Sequence, residues 1–143
     1  MIVVRSRTVD APVEAVWAVV ADPSALPRWW PRTERVEGVS ARRWTTVLLS
    51  PRGRRVRADW RLELSEVRRR RAWVQDVEGT PFARVLAERR VEVSMEGVGG
   101  GTVVRLGLRQ RGRGWSRFGG FMLRRAARRE LDAALAGLAE AVA

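Results

Sequence analysis

The chain has 143 residues, a length at which one domain buries roughly 70% of its unfolded surface. It contains no cysteine, histidine, tyrosine or lysine, which excludes disulfides, thiolate metal sites and a Ser-His-Asp triad. The formal charge of +12 is carried by arginine alone, a balance that permits nucleic acid, anionic lipid or acidic ligands without selecting among them.

The remaining chemistry is narrow. Only Asp, Glu, Ser and Thr are left as general bases or nucleophiles, so an enzyme built from this chain would work by positioning, carboxylates and arginine electrostatics. The donor set argues against zinc or iron, and no cofactor is expected. No run of about 18 apolar residues is present, so no membrane-spanning helix is expected. The N-terminus enters a strand pattern directly, and the expectation is a cytoplasmic protein that is mature from its first residue.

Along the chain, Ile2 to Val9 alternates imperfectly and reads as a strand. Asp10-Ala11-Pro12 breaks it and starts a helix to about Ala21, with Val13, Val16, Trp17 and Val20 as the buried stripe. Asp22-Pro23 repeats the start signal for a second short helix carrying Leu26 and Trp29-Trp30, stopped at Pro31. Period-two patterning then predicts strands over 35–39, 43–50, 55–64, 72–77, 83–95 and 102–110. In the third of these, Val56, Ala58, Trp60, Leu62 and Leu64 share one face and charged residues the other, which marks a core face and a wet face. Gly97 to Gly101 reads as a tight turn leading into a strand, not as a phosphate loop. From Trp115 to Ala143 the apolar positions Leu123, Ala127, Leu131, Leu135, Leu138 and Val142 recur at helical spacing. The chain reads as α+β in a single domain, 1–143, with a long terminal helix burying its stripe against a sheet.

Two segments carry a family resemblance. Val9-Asp10-Ala11-Pro12-Val13-Glu14-Ala15-Val16-Trp17 and Ala21-Asp22-Pro23-Ser24-Ala25-Leu26-Pro27-Arg28-Trp29-Trp30-Pro31 resemble the "Ala-Pro-x-x-x-Val-Trp" and "Asp-Pro…Trp-x-Pro" starts of the START-like (SRPBCC) superfamily. That superfamily includes Bet v 1 and the polyketide cyclase/dehydrase and lipid-transport proteins. Gly100-Gly101-Thr102 and the Arg- and Ala-rich terminal helix add secondary support. The resemblance implies a helix-grip fold: a curved antiparallel sheet of about seven strands around a long C-terminal helix, with two short helices after the first strand. It also implies an apolar cavity between sheet and helix. Fold of this kind does not fix function.

Candidate cavity residues follow from the alternation. Trp60 lies on the apolar face of its strand, and Trp73, Gln75 and Val77 share a face of the next. Trp30 and Trp44 are expected at the entrance. Arg89 is the informative position, because its companions Ala83, Val85, Ala87, Val91, Val93 and Met95 are all apolar. An arginine on a core face is costly unless paired. Either Arg89 and Gln75 bind a carboxylate, phenolate or carbonyl of a ligand, or a bulge in this long strand turns Arg89 outward. On the terminal helix, Trp115, Phe118 and Met122 are spaced to form a lid, with core packing as the alternative. Arg124, Arg125, Arg128 and Arg129 crowd the first half of that helix, against the helix dipole, with Arg128–Asp132 as partial compensation. Beside Phe118, Phe121, Met122 and Leu123 this basic cluster suits peripheral contact with an anionic membrane.

Three functions compete. The leading one is binding of a small hydrophobic ligand, a lipid, polyketide or other aromatic or isoprenoid compound, without metal. The second, implied by the resemblance, is a polyketide aromatase/cyclase that stabilises enolates through Arg89, assisted by a carboxylate such as Asp76. The third is a basic module that binds nucleic acid or a membrane surface. No helix-turn-helix, zinc finger or paired RNP aromatics is visible to support the nucleic-acid reading.

Overall fold

The architecture was obtained as a computed structural model, which describes residues 1–113 and 117–143, with only the backbone at Arg117 and Phe118. The chain begins with strand β1 (Ile2–Val9), helix α1 (Val13–Val20) and a 3₁₀ turn (Pro23–Ala25) that continues into α2 (Leu26–Trp29). Five strands follow: β2 (Thr33–Glu37), β3 (Arg43–Leu49), β4 (Arg55–Glu66), β5 (Arg70–Gln75) and, after a 3₁₀ turn at Pro81–Arg84, β6 (Leu86–Val98). Strand β7 (Gly101–Gly112) and helix α3 (Arg117–Ala141) complete it.

Local chemistry accounts for the corners. Pro12 stands at the N-cap of α1 in extended conformation, and Asp22 accepts the Ser24 N–H at 3.0 Å to start the turn before α2. The Thr102 hydroxyl, wholly buried, donates to the Ala11 carbonyl at 2.7 Å. That bond ties the start of β7 to the corner between β1 and α1.

All strands pair antiparallel in one sheet of order β1-β7-β6-β5-β4-β3-β2. Register shifts fall at Thr33/Arg35, Leu62/Leu64 and Leu86/Glu88. Extra residues of this kind bend a strand and increase its twist, which lets the sheet curl around α3. The inner face meets the buried stripe Ala127, Leu131, Ala134, Leu135 and Leu138 of α3 in one core cluster. Helix α3 packs on β1, β7 and α2. Its approach to α2 requires glycine at 137: a methyl group there would overlap the Trp29 carbonyl oxygen and lie 2.9 Å from the Trp29 Cα.

Period-two reading errs where the ladder does. The run expected over 83–95 opens as the 3₁₀ turn, and the strand continues to Val98. The bulge in β6 removes Val85 and Ala87 from the inner set rather than Arg89. Val85 is 49% exposed, whereas Leu86, Val91, Val93 and Met95 are buried. In β4 the bulge breaks the alternation after Leu62, and Leu64 lies outside the core cluster.

The outer face of the sheet is a lattice of arginine–carboxylate pairs. Arg55 pairs with Glu34, Arg35 and Arg57 with Glu37, Arg43 and Arg61 with Asp76, Arg90 with Glu63 and Glu92, and Arg109 with Glu88. Asp132 of α3 is held by Arg5 at 2.8 and 3.1 Å, not by Arg128 as helical spacing suggests.

Candidate functional site

Between the inner face of the sheet and helices α2 and α3 lies a cavity of about 120 Å³. Leu26 and Trp30 line it from the α2 side, Thr33 from β2, Thr46 and Leu48 from β3, and Trp60 from β4. Trp73 and Gln75 come from β5, Phe82 from the 3₁₀ turn, Leu86, Arg89 and Val91 from β6, and Glu130 from α3. Alternation brings these side chains together: Trp60 lies opposite Gln75 across one ladder, and Trp73 opposite Val91 across the next.

The lining is apolar apart from a few groups, and these differ in how well they are satisfied. Trp60 Nε1 donates to Thr46 Oγ1 at 3.0 Å. Arg89 Nη2 donates to both carboxylate oxygens of Glu130, at 2.7 and 2.9 Å, and Arg89 Nη1 donates to Gln110 Oε1 at 3.0 Å. Trp30 Nε1 donates to Glu130 Oε2 at 3.3 Å. The Arg89 and Glu130 side chains are 18% and 28% exposed, so the pair sits at the cavity's edge. By contrast, Gln75 Nε2 and Thr33 Oγ1 are buried and have no hydrogen-bond partner among the described residues.

Of the residues singled out from the sequence, Trp30, Trp60, Trp73, Gln75, Arg89 and Val91 line this cavity. Others among the described residues do not join them. Trp44 is buried on the inner face opposite Trp60 but outside the lining: its ring meets Trp73 edge-on at 6.2 Å, and the Arg71 guanidinium lies 5.9 Å from its centroid. Met122 is 63% exposed, because it falls on the face of α3 opposite Ala127 and Leu131. It therefore points to solvent rather than serving as a lid. Trp115 and the side chain of Phe118 lie outside the described residues. Asp76, suggested as an assisting carboxylate, is bound by Arg43 and Arg61 on the outer face.

Sequence reasoning missed Glu130, although the signal was present. Glu130 is three residues after Ala127 and four before Ala134, so it interrupts the buried stripe with a carboxylate that an inward arginine can meet. Thr46 was equally available, two residues from Trp44 and from Leu48 on an alternating strand. Arg71 stands just before the strand expected over 72–77, yet it is 7% exposed and donates to Ser65 Oγ at 3.2 Å. Burial draws its guanidinium below the usual arginine range. A larger groove of about 470 Å³ on the outer face runs past Arg61, Asp76, Glu78 and Glu88. It is polar, and Asp76 and Glu88 are already held by arginines.

No group of histidine, cysteine or carboxylate residues suited to a metal ion occurs among the described residues, and no described helix is long and apolar enough to cross a membrane.

A curved antiparallel sheet closed around a long terminal helix, with short helices after the first strand, is the helix-grip fold of the START-like superfamily. More specifically, the chain belongs to the family described as polyketide cyclase / dehydrase and lipid transport, whose model matches residues 1–143. A START superfamily protein from Mycobacterium smegmatis superimposes with a TM-score of 0.82 at 14% identity, covering 99% of this chain and 96% of that one. BexL, a di-domain ARO/CYC from the BE-7585A biosynthetic pathway, gives a TM-score of 0.81 at 27% identity. That match covers 99% of this chain but 46% of BexL. A protein from Thermus thermophilus gives 0.76 at 23% identity, over 99% of this chain and 97% of that one. The search of curated proteins found no match.

Proposed function

We propose that the protein binds a small hydrophobic ligand in the cavity between sheet and α3, orienting it through the few polar groups of the lining. The observation that carries this reading is the pair of unpartnered polar atoms, Gln75 Nε2 and Thr33 Oγ1, in an otherwise apolar hollow. A buried group without a partner costs about 1–3 kcal/mol, and a ligand with matching polar atoms recovers that cost. Size limits the ligand. A cavity near 150 Å³ holds benzene, whereas pockets for drug-sized ligands measure roughly 300–1,000 Å³. At about 120 Å³ this cavity takes one ring, or the end of a longer lipid, isoprenoid or polyketide.

Native mass spectrometry of freshly purified protein, followed by denaturing extraction, tests the reading. The expected result is one bound apolar compound per chain. An empty protein whose tryptophan fluorescence also ignores single-ring aromatics and lipids would overturn it.

A second reading, a polyketide aromatase/cyclase, is favoured by the match to BexL along nearly the whole of this chain. Glu130, held by Arg89 and Trp30, is the carboxylate on the described lining and takes the place that Asp76 does not fill. Mass separates the two readings: a binder returns its ligand unchanged, and a cyclase returns a product lighter by water. Peripheral membrane contact is a separate proposal. It is supported by Phe121 and Met122, 67% and 63% exposed, beside Arg124, Arg125, Arg128 and Arg129, none of which meets a carboxylate among the described residues.

A further inference from the structure

The polar groups of the cavity divide into two kinds, and the division selects a class of ligand. Arg89 is the one cation of the described lining and Glu130 the one anion, and they neutralise each other through two short hydrogen bonds. The pair is held from both sides, by Gln110 on the arginine and Trp30 on the carboxylate. A carboxylate ligand would either displace Glu130, leaving that charge uncompensated, or enter without a counter-charge; both are costly in a partly desolvated site. A cationic ligand meets the mirror-image problem. A plain hydrocarbon leaves Gln75 Nε2 and Thr33 Oγ1 unpaired, as they are in the protein alone. An uncharged ring bearing a carbonyl oxygen avoids the charge costs, and its oxygen accepts from the Gln75 amide; a further polar atom on the ligand would pair the Thr33 hydroxyl.

We infer that the Arg89–Glu130 pair makes the cavity selective for uncharged, ring-sized carbonyl compounds, and that Glu130 is the residue that excludes acids. This rests on the ligand-binding reading above and deepens it. Of the carboxylate, phenolate or carbonyl that the sequence offered to Arg89 and Gln75, it keeps the carbonyl and assigns it to Gln75.

Acetophenone, benzoate and benzylamine are near-isosteric and differ in charge, so they serve as probes. Their binding is followed by the shifts of the tryptophan indole N–H signals in ¹⁵N-labelled protein. The wild-type chain is expected to bind acetophenone at least about tenfold more tightly than either ion. In Glu130→Gln, which frees Arg89, benzoate gains about tenfold or more relative to acetophenone. Arg89→Gln makes the reciprocal change and brings the gain to benzylamine, so one informative variant remains if the other does not fold. Equal binding of acetophenone and benzoate by the wild type, or an order of affinities unchanged in both variants, overturns the inference while leaving ligand binding intact. Failure of every probe to bind the wild type also overturns the inference, and the ligand-binding reading falls with it only if the native mass spectrum is empty and lipids leave the tryptophan fluorescence unchanged.

Discussion

Gln75 is 5% exposed, with an amide nitrogen that no group among the described residues accepts from. Replacing it with leucine, of similar volume, removes the unpaired donor. Gln75→Leu is therefore expected to stabilise the ligand-free protein by about 1 kcal/mol in urea unfolding, while weakening carbonyl ligands by about tenfold. A variant that loses stability would mean that this amide is satisfied in solution. Arg89 presents the opposite case, a polar group fully engaged. Arg89→Met leaves Glu130 without its cation. Since both side chains retain some exposure, the cost should be about 1–2 kcal/mol, below the ~3–5 kcal/mol of a fully buried pair. The inward position of Arg89 was legible from its apolar companions at alternate positions. Its partner was not, because a ladder pattern carries no information about which residue of a distant helix will stand opposite.

At the scale of elements, strands and helices were readable where a single period ran unbroken. The stripe from Ala127 to Leu138 and the alternation from Val56 to Leu62 lie where period alone places them. The reading failed at Ala83, Val85 and Leu64, each next to an irregularity that a period of two cannot represent. Close packing between elements was likewise silent in the sequence. Gly137 looks like a weak point in α3, yet the Trp29 backbone occupies the space its missing side chain leaves. Gly137→Ala is expected to lower stability by about 1–3 kcal/mol in spite of alanine's better helix propensity, measured as a lower urea midpoint at unchanged slope. A gain would show that α2 can move aside. The first half of α3 supports a different test. If Phe121, Met122 and the four arginines meet a membrane, vesicles containing phosphatidylserine should co-sediment the protein and neutral vesicles should not, with retention lost at high salt. Equal retention on both removes the proposal.

The molecule as a whole is a basic shell around an apolar interior, and its response to pH follows from that layout. With no histidine, cysteine, tyrosine or lysine, no side chain of the protein has an ordinary pKa between about pH 6 and pH 10. Stability should be nearly flat there. On the outer face the guanidinium partners Arg55 for Glu34, Arg35 and Arg57 for Glu37, and Arg70 for Glu66 hold these carboxyls below their usual range. A depressed folded value contributes stability that is complete above the ordinary carboxylate pKa and is lost as pH falls through the folded one. Thermal midpoints should therefore be level above about pH 5 and fall below about pH 4. Because these pairs are exposed, molar salt should flatten the acid limb. A transition centred near neutral pH would contradict this layout. The fold was legible because helix starts, turns and alternation repeat along the whole chain. The cavity was only partly so, because it depends on where packing stops, and no short segment encodes that.

The irregularity in β6 can be viewed as a dislocation, one surplus residue inserted into an otherwise periodic lattice. On β6 Leu86 and Glu88 are separated by Ala87, while their partners Gly112 and Arg111 on β7 are adjacent. Leu86 and Arg89 consequently share the inner face although three positions separate them. Excising Ala87 alone would restore the phase of the ladder and keep the same two side chains pointing inward. What it would remove is local bend. In this fold a single-codon deletion can therefore reshape the hollow while leaving the identities of its facing residues unchanged.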